Sequence, residues 1–440
     1  MKAKLIPLYF KSGKDEDFEK QLQNLRNLLI DYAEIQDPIP IGKNIPEADA
    51  VIFPQLLGDA FKQINEIKEI KVPIIVATSD FGTVNMWDWE IVAFMQSEGI
   101  KVFAPYNLDL TKKICKSLAL KKEMKKTKFL VFQDNPGTGG MQAEIFKRFY
   151  WWEDQYINKM KDKFGISLIK KSFKELGAKA KEIPDSEAKK VLLNLDINTE
   201  DVSEKALNSA IKIYMAVKEE IEKDSDIKGV GINCLNESFY SDSTPCLAWN
   251  LLYEEKKMMW ACEADTSSLL TNYIINKSLD APVMMSNIYP FLMGLAALKH
   301  EKIDKFPEVK DPQNYSLIVH CGYFGVVPQS FCSSWVLRPK VLAIVNDNAT
   351  AIDARMPEGD ITLTKLDPTL TKLMAVEGVI ERYVQYPGSD CRNGALVKVA
   401  NGYKLMNAFY SHHNCIVEGK RLVEIENIIS KVFDLQVTGI

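Results

Sequence analysis

The chain has 440 residues, of which 46% are hydrophobic, and its formal net charge at pH 7 is −4. A chain of this length and apolar content can bury a large core and is expected to form two or three domains. Its slightly acidic balance gives no support for binding to nucleic acid, and no segment approaches the roughly 18 apolar residues of a membrane-spanning helix.

The cysteines and the N-terminus both predict a cytoplasmic protein. Eight cysteines are scattered without CxxC spacing, which is typical of reduced, buried thiols rather than of a disulfide framework or a zinc knuckle. The N-terminus has a basic start but only a short apolar stretch, and it becomes charged by Lys11. We therefore expect a first strand there rather than a signal peptide.

Apolar runs alternate with helix-like segments from the N-terminus to about residue 290. In a first domain, residues 1–140, the expected strands lie at 5–10, 50–53, 72–77, 101–104 and 129–133. In a central domain, residues 141–312, they lie at 167–171, 229–234, the run ending at Glu263, and 282–287. Strands joined by helical crossovers predict parallel sheets covered on both faces, so both domains are expected to be Rossmann-like α/β domains.

The pattern changes in the last third of the chain. Short β-type runs separated by turn residues occur at 316–320, 336–337, 341–345, 360–365, 378–384 and 395–399, and a helical stretch follows at 421–433. This pattern predicts a β-rich C-terminal domain over residues 313–440, a barrel or a sandwich, with a terminal helix. The predicted fold class is thus α/β, with two parallel-sheet domains followed by a β-rich, barrel-like domain.

Two acidic residues stand where a buried strand is expected to end and a helix to begin. Glu263 and Asp265 directly follow the apolar run 258–262. A carboxylate in a dry pocket must be paired, bound to a metal or neutralised. Asp265 is also a good N-cap for the next helix, so a capping role and a catalytic role both stay open for it. For Glu263, which follows Trp260, Ala261 and Cys262, we favour a functional role.

Histidines are the other candidates for a metal site, and the chain has only four. His320 ends a predicted strand, and His412 and His413 are adjacent in a later one. Adjacent strand residues point to opposite faces, so we expect only one of this pair to be a ligand. Imidazole and carboxylate ligands together suit Mn²⁺ or a chemically similar divalent ion.

Several segments carry a resemblance to a known family. In order they are Ala261-Cys262-Glu263-Ala264-Asp265, residues 281–287, Val319-His320-Cys321-Gly322, residues 359–364 and residues 411–419. Their order and spacing resemble the L-fucose/L-arabinose isomerase family over nearly the whole chain. The resemblance implies two α/β domains, a C-terminal β domain, and conversion of monosaccharide aldoses to ketoses with Mn²⁺. It also implies homotrimers or homohexamers whose active sites form between subunits.

The resemblance assigns roles to individual positions. Glu263 matches the family's first metal-binding carboxylate, which also moves a proton, and Asn287 stands where the second carboxylate is normally found. His320 matches a histidine near the metal. One of His412 and His413 matches the C-terminal metal histidine, and we favour His413.

Asn287 is a departure from the family pattern. An amide can coordinate a metal through its carbonyl oxygen, but it carries no charge and cannot act as a base. Three possibilities stay open. Asp265 or another acid such as Glu237 replaces the missing carboxylate, the enzyme uses a different sugar or geometry, or the protein binds sugar without isomerising it.

Overall fold

Residue contacts divide the chain into two compact units. The computed structural model describes residues 1–134, 153–234, 238–291, 308–319, 328–339, 348–385 and 393–439. The first unit comprises Met1–Lys125, Lys277–Asp280 and Glu424–Leu435, and the second comprises Lys126–Asn276, Ala281–Val423 and Gln436–Ile440. Across these described ranges, no helix combines the length and the apolar character needed to cross a membrane.

A parallel sheet forms the centre of the first unit. Its strands are β1 (Ala3–Tyr9), β2 (Ala33–Ile35), β3 (Ile39–Pro40), β4 (Ala50–Phe53), β5 (Ile74–Val76) and β6 (Val102–Phe103). Their order is β2-β1-β4-β5-β6, and β3 also pairs with β1. The helices that alternate with them are α1 (Glu16–Leu28), α2 (Ile64–Lys68), α3 (Trp89–Ser97) and α4 (Leu108–Glu123). Strands β4 and β5 are buried along their whole length, as expected for strands with both faces covered.

The second unit begins with another parallel sheet. Its strands are β7 (Lys128–Phe132), β8 (Ser167–Lys171), β9 (Ile227–Ile232) and β10 (Met259–Cys262), in the order β10-β9-β7-β8. Its helices are α5 (Asp154–Phe164), α6 (Phe173–Glu182), α7 (Asp185–Leu192), α8 (Glu204–Glu222), α9 (Cys246–Lys256) and α10 (Thr266–Leu279), and the end of α10 from Lys277 onward is grouped with the first unit. The prediction placed β7 in the first domain, but its hydrogen bonds are to β8 and β9. Both parallel sheets of the predicted fold class are confirmed.

A closed antiparallel barrel of six strands follows, which confirms the barrel alternative for the β-rich part. Its strands are β11 (Val283–Pro290), β12 (Tyr315–Val319), β15 (Gly359–Leu366), β16 (Lys372–Gln385), β17 (Asn393–Val399) and β18 (His413–Glu418). The order β15-β18-β11-β12-β17-β16 closes through pairing of β16 with β15. A separate hairpin joins β13 (Ser334–Pro339) to β14 (Thr350–Arg355), and α11 (Gly402–Ala408) precedes β18.

Strand β11 belongs to the barrel rather than to the central sheet. It pairs antiparallel with both β12 and β18, so the boundary predicted between residues 312 and 313 separates two paired strands. The expected strand at 341–345 lies outside the described residues. The three-domain division itself stays a prediction.

Most of the terminal helical stretch belongs to the first unit, which includes Glu424–Leu435. It consists of α12 (Leu422–Glu424), a π-helical turn (Ile425–Ile429) and α13 (Ser430–Phe433), and β19 (Gln436–Gly439) then pairs with β16. Residues Ile425, Ile428 and Phe433 are buried, and the Lys121 Nζ of α4 donates to the Val432 carbonyl at 2.6 Å. The prediction grouped this stretch with the β-rich domain, whereas residue contacts group Glu424–Leu435 with the first unit.

Candidate active site

The candidate site begins at the turn between β10 and α10. Glu263 and Ala264 have φ angles of 55° and 57°, a left-handed conformation that costs a residue other than glycine about 1–3 kcal/mol. The Ala264 amide donates to the Ile232 carbonyl at 3.0 Å. Gly231 leaves room for the turn, since a Cβ there would stand 3.1 Å from the Ala264 Cα. Strained backbone thus coincides with the acid singled out from the sequence.

Asp265 is the N-cap of α10 and also the centre of a polar network. Its Oδ1 accepts from the Ser268 amide at 2.8 Å, and its Oδ2 accepts from the Ser268 hydroxyl at 2.9 Å. The Oδ2 atom also lies 3.0 Å from the Lys365 Nζ and 2.9 Å from the His413 Nδ1. The capping role expected for Asp265 is confirmed, and its catalytic role stays a prediction.

His413 lies between the two acids. It is fully buried, its Nδ1 contacts the Asp265 Oδ2, and its Nε2 stands 3.9 Å from the Glu263 Oε1. A carboxylate on Nδ1 holds a proton on that nitrogen, and the other ring nitrogen, Nε2, faces Glu263. A carboxylate behind an imidazole in this way is typical of histidines that bind metals. The structure therefore brings His413 to the acids, as the sequence suggested.

His412 occupies a different position. Its ring stacks on that of Tyr289, with the ring centroids 6.4 Å apart, and its carbonyl accepts from the Ile288 amide at 2.8 Å. The ring centroids of His412 and His413 are 4.2 Å apart. Of the pair, only His413 makes the contact with Asp265 described above. His320 and Glu237 lie outside the described residues.

Asn287 is brought beside His413 by strand pairing. The two residues are opposite each other in the antiparallel register of β11 and β18. The Asn287 Oδ1 is buried, and the described part of the chain supplies it with no hydrogen-bond donor. A buried carbonyl oxygen without a donor is costly, and a cation is one ligand that could satisfy it. The position predicted from the resemblance is therefore adjacent to the expected metal histidine.

These donors fit a divalent cation in chemistry. A carboxylate oxygen from Glu263, an imidazole nitrogen from His413 and an amide oxygen from Asn287 are ligand types that Mn²⁺ accepts. Two ligands about 2.1 Å from one ion lie roughly 3–4 Å apart, and Nε2 of His413 lies 3.9 Å from Oε1 of Glu263. Within the described ranges, no three His, Cys, Asp or Glu side chains form a metal-binding group. The third donor would here be the amide.

Lys365 is the residue that the sequence reasoning missed. It lies on β15, its side chain and that of Asp265 are both 0% exposed, and its ammonium donates to Asp265 at 3.0 Å and to the Ser268 Oγ at 2.5 Å. Burial lowers the pKa of Lys365, against the attraction of Asp265. Burial would raise the pKa of Asp265, but Lys365 and His413 hold it well below its usual range. The available signal was a lysine that directly follows the buried run 361–364 of this strand, which consists only of isoleucine, leucine and threonines.

Two cysteines support the strained turn. The Cys234 and Cys262 sulfurs are 3.1 Å apart, beyond the ~2.05 Å of a disulfide bond. The Glu263 amide donates to the Cys234 sulfur at 3.4 Å. Both cysteines are buried, so they serve here as small neighbours that hold the Glu263 backbone.

Comparisons with known proteins add no relative to this picture. No family model matches the chain, and no curated protein matches it. The resemblance to the L-fucose/L-arabinose isomerase family therefore stays a prediction, which rests on the quoted segments.

Proposed function

We propose that this chain is a metal-dependent aldose–ketose isomerase that acts in the cytoplasm on a monosaccharide of the L-fucose, D-arabinose or L-arabinose type. The observation that carries the proposal is the position of His413. Its Nδ1 is held by Asp265, and its Nε2 stands 3.9 Å from Glu263. Asn287 lies opposite on the neighbouring strand. This donor set and the order of the sequence segments support the same chemistry.

The reaction moves a proton between neighbouring sugar carbons through an enediol. A bound Mn²⁺ would polarise the sugar oxygens. Glu263 takes the proton from the carbon beside the carbonyl group and returns it to the former carbonyl carbon. The hydroxyl proton moves to the other oxygen, so the sugar changes from aldose to ketose without net gain or loss. Because Asn287 cannot act as a base, Glu263 performs both proton transfers.

The alternative is a relative that binds sugar without isomerising it. The amide of Asn287 favours this reading, since it removes one negative charge from the site that the resemblance implies. The metal content of the purified protein distinguishes the two functions, because an isomerase retains the divalent ion that it needs for turnover.

The direct test is an assay of the metal-stripped protein with L-fucose, D-arabinose and L-arabinose, with and without added Mn²⁺. We expect ketose formation that depends on Mn²⁺. In D₂O, NMR should show deuterium entering at the carbons that exchange the proton, as an enediol route requires. If no sugar turns over and calorimetry detects no Mn²⁺ binding, the catalytic assignment fails and the sugar-binding alternative leads.

The proposal includes an oligomer, and an exposed aromatic edge on the first unit supports it. Phe81, Trp87 and Tyr106 are 77%, 73% and 66% exposed, and all three follow strands β5 and β6 at the carboxyl edge of the sheet. The loops carrying them are linked, because the Val84 amide donates to the Pro105 carbonyl at 2.8 Å. Exposed apolar patches of this kind mark interaction surfaces. We propose that a second copy of the chain covers this aromatic edge.

Light scattering tests this surface. We expect the native protein to have the mass of a trimer or a hexamer, and Trp87→Ser to form smaller species. The matched control is Leu193→Ser, because Leu193 is 86% exposed in the second unit and its loss should leave the mass unchanged. A native protein with the 49.9 kDa mass of one chain would contradict the proposal.

A further inference from the structure

We propose that Lys365 is a positioning residue that withholds Asp265 from the metal and directs that carboxylate to His413. The inference deepens the proposed function and rests on it. Lys365 and Asp265 belong to one buried hydrogen-bond network with Ser268 and His413.

Lys365 is a charged residue that is completely buried. Its ammonium contacts Asp265 and the Ser268 hydroxyl, and its side chain is 0% exposed. Removing an ammonium from water is costly unless it is paired and hydrogen-bonded. Lys365 is separated from Asp265 by 100 positions in the chain. Only closure of the barrel beside the β10–α10 turn brings the two charges together.

The contacts of Asp265 show what the lysine does. The carboxylate accepts from the Ser268 amide, the Ser268 hydroxyl and Lys365, and its Oδ2 contacts the His413 Nδ1. Among the first three donors, only Lys365 carries a charge. Because its charge is balanced and its oxygens already accept hydrogen bonds, Asp265 binds a cation weakly. Its remaining effect is to orient the imidazole.

The positioning role of Lys365 explains why the neighbouring acids Glu263 and Asp265 have different functions. Glu263 is two residues from Asp265, and its Oε1 stands 3.9 Å from the His413 Nε2. Without Lys365, the negative charge of Asp265 would not be balanced, and a divalent ion could draw Asp265 away from His413. Lys365 therefore keeps the ion on the Nε2 side of His413, where Glu263 lies.

The test replaces Lys365 with methionine and with glutamine. For Lys365→Met we expect Mn²⁺ binding by calorimetry to be as tight as in the native protein or tighter, while kcat falls at least tenfold. Lys365→Gln keeps an N–H donor without the charge and should recover part of the turnover. Loss of a structural support alone would weaken Mn²⁺ binding and turnover together, and that result would overturn the inference. An unchanged kcat would overturn it as well.

A second variant addresses folding. Lys365→Met leaves Asp265 buried without its countercharge, so the double variant Lys365→Met/Asp265→Asn removes both charges at once. We expect it to fold, to bind Mn²⁺ no more tightly than the native protein and to keep a low kcat. Tighter Mn²⁺ binding by the double variant would show that Asp265 is not the competing ligand. Lys128→Met, which removes a surface partner of Asp224, is the matched control and should keep native turnover.

An NMR spectrum of His413 tests the positioning role of Lys365 independently of the proposed isomerase function. The chain has only four histidines, so ¹⁵N-histidine NMR of the metal-stripped protein can follow His413 directly. We expect a single Nδ1–H tautomer in the native protein and mixed signals in Lys365→Met. If the native protein neither binds Mn²⁺ nor turns over sugar, the proposed function fails, and this spectrum still decides whether Lys365 positions His413. An identical His413 spectrum in both proteins would overturn the positioning role.

Discussion

Replacing Asn287 with aspartate is expected to strengthen Mn²⁺ binding roughly 10- to 100-fold. At 4 Å and an effective dielectric constant of 20, two unit charges attract by about 4 kcal/mol, and desolvation of the new carboxylate offsets part of that gain. Aspartate has nearly the shape of asparagine, so the pairing of β11 with β18 should persist. Turnover should rise at least about tenfold as well, because the site gains a second group that can move protons.

Asn287→Leu is the control for this substitution. Leucine has a similar size but no oxygen, so Mn²⁺ binding should weaken while the barrel remains folded. Calorimetry and initial rates across the same sugars measure both variants. If Asn287→Asp binds Mn²⁺ no better than the native protein, the buried Asn287 oxygen is not part of a metal site. If it turns over sugar and the native protein does not, the site is intact apart from this residue.

Replacing Glu263 with glutamine is expected to reduce kcat by roughly 10²–10⁴-fold, the usual contribution of a positioned acid–base group. Glutamine keeps the size of the side chain and can keep the left-handed backbone at φ 55°. It removes the base and one charge from the ligand set, so Mn²⁺ binding should weaken too. Rates at saturating sugar and Mn²⁺ separate the loss of the base from the loss of the metal.

Glu255→Gln is the matched control. Glu255 pairs with Lys218 near the surface, at 2.6 Å and 37% side-chain exposure, and such pairs contribute about 0–1 kcal/mol. Its loss should leave turnover unchanged. A Glu263→Gln protein that keeps native kcat would remove Glu263 from the mechanism and with it the proposed isomerase chemistry.

Much of the fold could be predicted because local patterns are sufficient to define the elements. Alternation of short apolar runs with helical periodicity indicated both parallel sheets, and short β-type runs indicated the barrel. The turn at Glu263 and Asp265 was also visible, because a capping aspartate after an apolar run depends only on residues a few positions away. These signals arise from backbone sterics and side-chain alternation, which act within about five residues.

Only the tertiary structure decided which elements that are distant in sequence pair or pack with each other. β7 joins the second sheet, β11 closes into the barrel, and Glu424–Leu435 returns to the first unit. Strand partners depend on which apolar faces are buried together across the whole chain, and no local pattern records that.

The same division holds within the candidate site. The acids Glu263 and Asp265, Asn287 and the histidine pair were all found in the sequence. Only the fold selects His413 for contact with Asp265, 148 positions away, and only the fold brings in Lys365. A buried lysine has the same letter as an exposed one, and its role appears only when long-range packing supplies the carboxylate that allows its burial.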